Sequence, residues 1–303
     1  MYRGVHEIEG KLYYFGALGG KLYKGWIAAP DGNKYYAGED GVLVTGDVQI
    51  KSNWYRFNSM GALENGWQTI NGNTYYFYSD GTPAKGLTNI AGVNYYFNVN
   101  GILKMSNVKK VIDVSSHQAV IDWDRVYRDN DIDGAIIRIG YGTSYTNESP
   151  VDDIYFRRNV DGANRYNLLF GTYLYSYAVD EVSAEIEGNY VGRMLTNNGI
   201  SRSVIVYYDL EENPWTTNLS IIDYDRIVSR FISTVANYGY TVQVYSYKYW
   251  AENRLSDYVR SNLTWIAQYS DELTYRGSYF GWQYTSSGRV FGINGDVDIS
   301  IFK

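Results

Sequence analysis

Residues 204–212 read Val-Ile-Val-Tyr-Tyr-Asp-Leu-Glu-Glu: five residues suited to a buried strand, followed at once by acids. Side chains alternate faces along a strand, so Asp209 and Glu211 point one way and Glu212 the other. Runs of the same kind are Val111-Ile-Asp-Val, Ala135-Ile-Ile-Arg-Ile, Phe170-Gly-Thr-Tyr-Leu-Tyr and Val242-Gln-Val-Tyr-Ser. Helix-like segments lie between them, around 122–130, 151–166, 180–197 and 223–238, with Asp180 and Asp223 as start signals and Asn198-Gly199 as a stop. That alternation is what a parallel α/β domain requires. Beyond residue 262 come Trp265-Ile-Ala-Gln-Tyr, Phe280-Gly-Trp-Gln-Tyr and Val297-Asp-Ile-Ser-Ile-Phe with no helix between them. Five βα units and three bare strands predict a truncated TIM-like (β/α)5(β)3 barrel. Periodicity alone leaves an open sheet as the alternative.

In such a barrel the strand ends converge at the C-terminal mouth. Asp113 ends the first run, Asp209 and Glu211 the fourth, and Asp296 and Asp298 lie in the last. Neighbouring carboxylates repel and burial favours the neutral form, so one of a close pair keeps its proton near neutrality. One acid and one base from two similar groups is what glycosidic cleavage uses. A lone acid at a strand end more often caps a helix or pairs with Arg. Asp-x-Glu after an apolar strand, matched by acids on the first and last strands, points instead to chemistry. Aromatic platforms belong at the same mouth, and Tyr173, Tyr175, Tyr207, Trp265 and Trp282 are the candidates by strand position, with core packing the competing reading for each. His117 reads as a local hydrogen-bonding residue, and Trp123 and Trp250 as packing residues.

The first 105 residues obey a different rule. Gly41, Gly61, Gly81 and Gly101 are spaced by 20, as are the turn positions Gly32, Ser52, Gly72 and Gly92. Aromatic clusters precede the first set: Tyr35-Tyr36, Tyr55-Arg-Phe57, Tyr75-Tyr-Phe77 and Tyr95-Tyr-Phe97, with Tyr13-Tyr-Phe15 opening an earlier, longer copy. Each copy reads as a hairpin, because Asn71-Gly72 between Trp67-Gln-Thr-Ile70 and Thr74-Tyr-Tyr-Phe77 supplies the positive φ values of a two-residue turn. A lone hairpin cannot bury an aromatic face, so the copies must stack into a β-hairpin solenoid. Residues 1–106 carry 9 basic and 8 acidic residues and residues 107–303 carry 18 and 25, which with the change of period puts a domain boundary at 106.

Composition bounds the partners. The net charge of −6, with no basic run, argues against nucleic acid. No apolar run approaches the ~20 residues that span a bilayer. With no Cys, and His6 and His117 far apart in the chain, neither disulfides nor thiolate or poly-His metal sites are expected. The 34 Tyr suit stacking on sugar rings or holding organic cations, and equally suit half-buried strand positions. The opening Met-Tyr-Arg-Gly-Val-His does not have the layout of a secretory signal, which leaves release by another route or a trimmed chain as expectations.

Two resemblances extend this reading. Residues 6–105 resemble the cell-wall-binding repeats of choline-binding and glucan-binding proteins, through Gly25-Trp26, Gly66-Trp67 and Asn53-Trp54-Tyr55. Asp47 and Leu87 stand where that pattern has the first Trp, and Lys34, Thr74 and Asn94 where it has the second. The stretch holding Trp54, Trp67, Tyr75 and Tyr76 is therefore the one expected to form an aromatic box, for choline on teichoic acid or for a glucan. A purely structural array is the bland alternative.

Residues 111–303 resemble the family-25 glycoside hydrolases, lysozymes of phage endolysins and bacterial autolysins. The matches are Asp113-Val-Ser-Ser-His-Gln with Ile121-Asp-Trp, Gly171-Thr-Tyr-Leu-Tyr-Ser-Tyr-Ala, Tyr208-Asp-Leu-Glu, Trp265-Ile-Ala-Gln-Tyr, Trp282-Gln-Tyr and Asp296-Val-Asp-Ile-Ser-Ile-Phe. The resemblance implies an N-acetylmuramidase acting on bacterial peptidoglycan outside the cell, with no cofactor. It makes Glu211 the general acid and gives Asp209 the substrate's 2-acetamido group. Asp113 and Asp298 hold the pair's charge and orientation, with Asp296 as competitor for the last place. A catalytically silent binding protein and a chitinase-like hexosaminidase are the competing readings.

Overall fold

The computed structural model describes residues 2–16, 21–51, 53–129, 131–143 and 149–303. Ser52, one of the turn positions above, lies outside them. The chain divides into two compact units, Met1–Ser106 and Asn107–Lys303.

The first unit consists of five antiparallel hairpins. Their paired strands are Gly4–Ile8 with Lys11–Phe15, Gly25–Ala28 with Lys34–Ala37, Gly46–Ile50 with Asn53–Phe57, Gly66–Ile70 with Asn73–Phe77, and Gly86–Ile90 with Val93–Phe97. The strand Leu103–Ser106 pairs onto the last of these. Asn71 and Gly72 both take positive φ, 49° and 79°, the mirror-image turn whose twist matches its flanking strands. The glycines at 41, 61, 81 and 101 are left-handed too, and each sits in the connector after a hairpin. A Cβ at Gly81 would come within 2.7 Å of Leu63, so close approach as well as backbone hand requires glycine there. Connectors do the stacking: Leu43 N donates to Leu12 O at 2.8 Å, and Leu63 N to Lys34 O at 2.7 Å. One buried cluster joins Tyr14, Ile27, Tyr35, Ala37, Leu43 and Ala62, and Phe57, Phe77 and Phe97 are buried further along.

The second unit is a closed eight-stranded barrel. Its strands are β1 (Lys109–Val114), β2 (Gly134–Tyr141), β3 (Leu169–Tyr175), β4 (Ile205–Asp209), β5 (Val242–Tyr247), β6 (Leu263–Ala267), β7 (Gly281–Gly288) and β8 (Val297–Phe302). Neighbours pair in that order, β8 returns to β1, and every pairing is parallel except the two made by β8. The open-sheet alternative is excluded by that closure. Helices α1 (Trp123–Asp129), α2 (Phe156–Arg165), α3 (Glu181–Asn197) and α4 (Ile221–Ala236) follow the first four strands. Two short helices, α5 (Lys248–Asn253) and α6 (Asp257–Asn262), follow β5, and no helix separates β6, β7 and β8.

Local signals fix the helix ends. Asp180 caps α3 by accepting from Ser183 N at 2.8 Å, and Asn198 with the left-handed Gly199 ends it. At α4 the capping residue is Ser220 rather than Asp223. Asp223 sits in the first turn and reaches back to Ser220 N at 2.8 Å, the reciprocal half of a capping box.

Alternate residues of each strand point into the barrel. Val111, Ile136, Tyr207, Tyr245, Trp265, Ala267 and Phe302 make its buried interior. The outward set packs on the helices: Tyr208 stacks on Phe231 of α4 at 3.7 Å between ring centres and donates its hydroxyl to Glu187 of α3 at 2.7 Å. That Glu187 is wholly buried and also accepts from the amides of Tyr177 and Thr143, at 3.0 and 3.2 Å, pinning the loops after β3 and β2. Burial pushes its carboxyl up to about 7 despite these donors.

Candidate active site

The strand alternation that fills the barrel with apolar side chains delivers acids at its C-terminal end. Val111 and Asp113 share one face of β1, and Tyr207 and Asp209 share one face of β4. Asp113 lies directly opposite Asp298 across the β1–β8 ladder, so the two carboxyls meet. Burial first, and then the Asp298 charge, hold the Asp113 carboxyl far above the ordinary range, and burial raises Asp298 as well. Gln283 Nε2 donates to an oxygen of Asp113 at 2.9 Å, while Tyr245 and Tyr269 direct their hydroxyls at Gln283 Oε1, at 2.7 and 3.1 Å.

Asp209 is 4 % exposed, and its Oδ1 has no hydrogen-bond partner among the described residues. Burial first, then the charges of Glu211 and Asp113, push its carboxyl well up, and Arg138 opposes them. Arg138 is itself fixed by Asp153, at 2.8 Å, and by Ser116 Oγ at 2.7 Å. Glu211 lies two residues past the end of β4 and is only partly buried. Its carboxyl is raised by burial and by Asp298, against the Tyr245 hydroxyl beside it. Glu212 turns outward, exposed, with its nearest hydroxyl that of Tyr247 at 3.5 Å. Asp296 is exposed and paired with Arg289 at 3.0 Å, whereas Asp298 faces the other acids. His117 is exposed, and burial raises the Asp298 carboxyl against the opposing influence of Asp113 and His117.

The aromatic candidates divide. Tyr175 is half-buried at the mouth, where its ring meets Tyr141 at 6.1 Å and Tyr177 at 5.1 Å, and Tyr177 meets Trp215 at 4.9 Å. Tyr173 packs lower, against the barrel interior. Tyr207, Trp265 and Trp282 must be corrected: at 4 %, 2 % and 0 % exposure they have no ring face to offer a sugar. Tyr207 and Trp265 pack on each other inside the barrel, with the indole donating to Ser300 Oγ at 3.0 Å. Trp282 neighbours the inward Gln283 and so lies on the outer face. Tyr141, Tyr177 and Trp215 were missed. Tyr177 was legible, because it continues the i, i+2 series 173, 175, 177. Arg138, Tyr245 and Gln283 were missed as well, since they act through residues remote in sequence.

The repeats carry aromatic clusters of their own. Trp67 meets Tyr76 of its own hairpin at 5.2 Å, and Tyr95 and Phe97 of the next at 4.8 and 5.9 Å. Trp26 repeats the arrangement with Tyr36, Tyr55 and Phe57 at 5.3, 4.9 and 6.0 Å. The expected box of Trp54, Trp67, Tyr75 and Tyr76 is corrected accordingly. Only Trp67 and Tyr76 share a cluster, Tyr75 stacks on Phe77 at 6.0 Å, and Trp54 is 53 % exposed and pairs across its hairpin with Gln49. The position equivalent to Trp67 in that hairpin is Asp47, which with Glu64 holds Arg56 at 3.0 and 2.9 Å.

Comparison with known proteins agrees with both halves. Residues 112–293 match the glycosyl hydrolases family 25, residues 65–107 a choline-binding repeat, and residues 24–43 and 48–63 a putative cell wall binding repeat. The autolytic lysozyme of Clostridium acetobutylicum is 32% identical over 196 residues, which is 64% of this chain but only 56% of that protein. The modular autolysin LytC from Streptococcus pneumoniae is similar in structure over 99% of this chain and 80% of its own, with a TM-score of 0.65 and 25% identity. The CTP1L endolysin shares the fold over 64% of this chain and 66% of its own, with a TM-score of 0.53 at 22% identity. On its barrel, its inward acids and a sequence match covering more than half its length, the chain belongs to the glycosyl hydrolases family 25.

Proposed function

We propose that the chain is a wall-targeted N-acetylmuramidase, cleaving the β-1,4 bond between N-acetylmuramic acid and N-acetylglucosamine at the bacterial cell wall. The observation that carries this reading is the division of labour among four inward acids. Asp113 faces Asp298 and is held far above the ordinary range by burial and that charge, Glu211 is raised yet reachable, and Asp209 is buried with an unpartnered oxygen. Glu211 enters the reaction protonated and gives its proton to the glycosidic oxygen as the bond to the anomeric carbon breaks. The acetamido carbonyl oxygen of the same sugar closes onto that carbon, and Asp209 Oδ1 accepts the acetamido N–H. A bound N–H supplies the partner Asp209 now has none of, and favours its charged form. Water then opens the ring, its proton taken by the Glu211 carboxylate. Tyr175, with Tyr141, Tyr177 and Trp215, forms the aromatic wall on which sugar rings lie.

The repeats hold the enzyme to its polymer. Each tryptophan cluster gathers three further aromatic rings around a partly exposed indole, a concentration of ring faces that suits a quaternary ammonium such as choline. The autolytic lysozyme and the modular autolysin, the latter also solved with a synthetic peptidoglycan ligand, support action at the cell wall. Two assays decide. Turnover on peptidoglycan but not on chitin is expected, and the reverse preference would make the enzyme a chitinase-like hexosaminidase. Titration of the chain with choline is expected to saturate, with Trp67→Ala weakening it. Indifference to choline, with wall glucan bound, would move the repeats to the other ligand class.

A further inference from the structure

Outside the mouth the barrel carries a second polar concavity, of about 1230 Å³. It is walled by the loop after β1, the start of α1, one face of α2 and the loop between β7 and β8. Arg125, Arg157, Arg158, Arg165 and Arg289 line it, against Asp122, Asp124 and Asp161. The barrel unit has 18 basic and 25 acidic residues, so cations concentrate here against its overall sign.

Most of the lining acids are already engaged. Asp124 pairs with Arg128 and accepts from the Tyr166 hydroxyl at 2.9 Å, and Asp122 accepts from Arg125 N at 3.3 Å. Arg289 is paired with Asp296. Arg157, Arg158 and Arg165 are exposed and have no ion-pair partner among the described residues, although Asp161 stands four positions from both Arg157 and Arg165. Interleaved with them are apolar side chains left in solvent, Ile154 at 80 % and Phe291 at 63 % exposure, the latter under Arg125 at 5.5 Å.

Position ties the groove to the chemistry. Its walls are the loop that follows Asp113 and the loop that precedes Asp298. The two loops are bonded to each other, Gln118 Nε2 to Asp296 O at 3.2 Å and Asp122 N to Gly292 O at 2.9 Å. They run from the strand ends that carry Asp113 and Asp298 to the groove, whose lining begins at Val120 and ends at Asn294.

We infer that this groove takes the peptide carried by the muramoyl sugar, its arginines holding the peptide's carboxylates; the inference rests on the muramidase reading above. Guanidinium forks match carboxylates with two parallel hydrogen bonds. Ile154 and Phe291 pack on the small apolar side chains of such a peptide, contacts that a bare polyphosphate could not use.

The test is Arg157→Ala with Arg165→Ala in the full chain. It is assayed on glycan strands that keep their peptides, on the same strands after enzymatic removal of the peptides, and on walls that retain teichoic acid. On peptide-bearing strands free of teichoic acid, KM is expected to rise about tenfold with kcat held. On peptide-free strands the variant and the wild type are expected to match. An unchanged KM on peptide-bearing strands overturns the proposal. So does an equal loss on both strands, which would mark a scaffold effect. A loss confined to walls with teichoic acid would assign the groove to polymer phosphate and overturn it too. Wild-type turnover on peptide-free strands tests the muramidase reading by itself, so the two can fail separately.

Discussion

Tryptophan meets opposite fates in the two halves of this chain. In the repeats Trp26, Trp54 and Trp67 are 44 %, 53 % and 42 % exposed, while in the barrel Trp123, Trp250, Trp265 and Trp282 lie between 0 % and 5 % and Trp215, in the loop after β4, alone keeps part of its ring in solvent. A stack of hairpins has a narrow core, which Phe57 and Phe77 fill at 1 % and 3 % exposure, so the larger indoles stay at its edge and lean on neighbouring rings. A closed barrel has two buried surfaces, its interior and the face under its helices, and both take up indoles. On the strands, then, the same residue type is available for binding in one architecture and committed to packing in the other, and the barrel frees an indole only in a loop, at Trp215.

The largest expected effect lies in the barrel. Glu211→Gln keeps the shape but has no proton to give, so turnover should fall by at least ~10²-fold while choline binding and thermal unfolding stay put. Near-normal turnover would remove Glu211 from the acid role. Next comes a direct contrast of tryptophans. Trp265→Ala empties the barrel interior and should cost about 3–5 kcal/mol in the barrel's unfolding. Trp67→Ala should leave that transition alone and weaken the wall ligand two- to thirtyfold, for a cation–π contribution of roughly 0.5–2 kcal/mol. If both destabilise alike, the contrast between the modules is broken.

Acidity separates the halves as well. Asp113, Asp209, Glu211, Asp298 and Glu187 all bind their protons more tightly folded than unfolded. The stability this gives is complete below the unfolded carboxyl range near pH 4 and is lost as pH rises through the folded values, which for Glu187 lie at about 7. Barrel unfolding should therefore shift to lower temperature between about pH 4.5 and 7, and Glu187→Gln should flatten that slope. In the repeats Asp80 shifts the other way, so its contribution disappears only in acid, as it does for the exposed caps Asp180 and Asp223. An unchanged slope in Glu187→Gln would mean the carboxyl stays charged in its pocket. The smallest effect is assigned to Glu212→Gln, since that side chain faces solvent, and kcat should stay within about twofold.

Period was the most readable property of the sequence. The spacing of 20 gave the hairpins, and Asn71-Gly72 their turn, because positive φ is a local demand with few residue types to meet it. Strand alternation likewise separated Asp209 from Tyr208 and Glu212 from Glu211. Depth was not readable. Tyr207 and Trp265 occupy strand positions that do face inward, but how far down the barrel a side chain sits depends on strand stagger, which no single strand encodes. Gln283 reaches Asp113 across 170 residues of chain, and Tyr245 reaches Gln283 across 38, contacts created by closure itself. Trp54 failed for a smaller reason. It stands two positions ahead of Arg56, where the aromatic partner of a cluster would have to be, and so lies out of register with Trp26 and Trp67.

The ion pairs of Arg56 with Asp47 and Glu64 occupy the place where a third tryptophan cluster would stand, between those of Trp26 and Trp67. On the choline reading this makes the array divalent at its tryptophan clusters, with a silent step in the middle. Once one cluster is engaged, the second meets its ligand at an effective concentration set by the polymer rather than by the solution. Residence on the wall then varies with something near the square of ligand density. A surface that thins its choline by a factor of ten would shed the enzyme by about a hundredfold, which makes the repeats a density gauge as much as a tether.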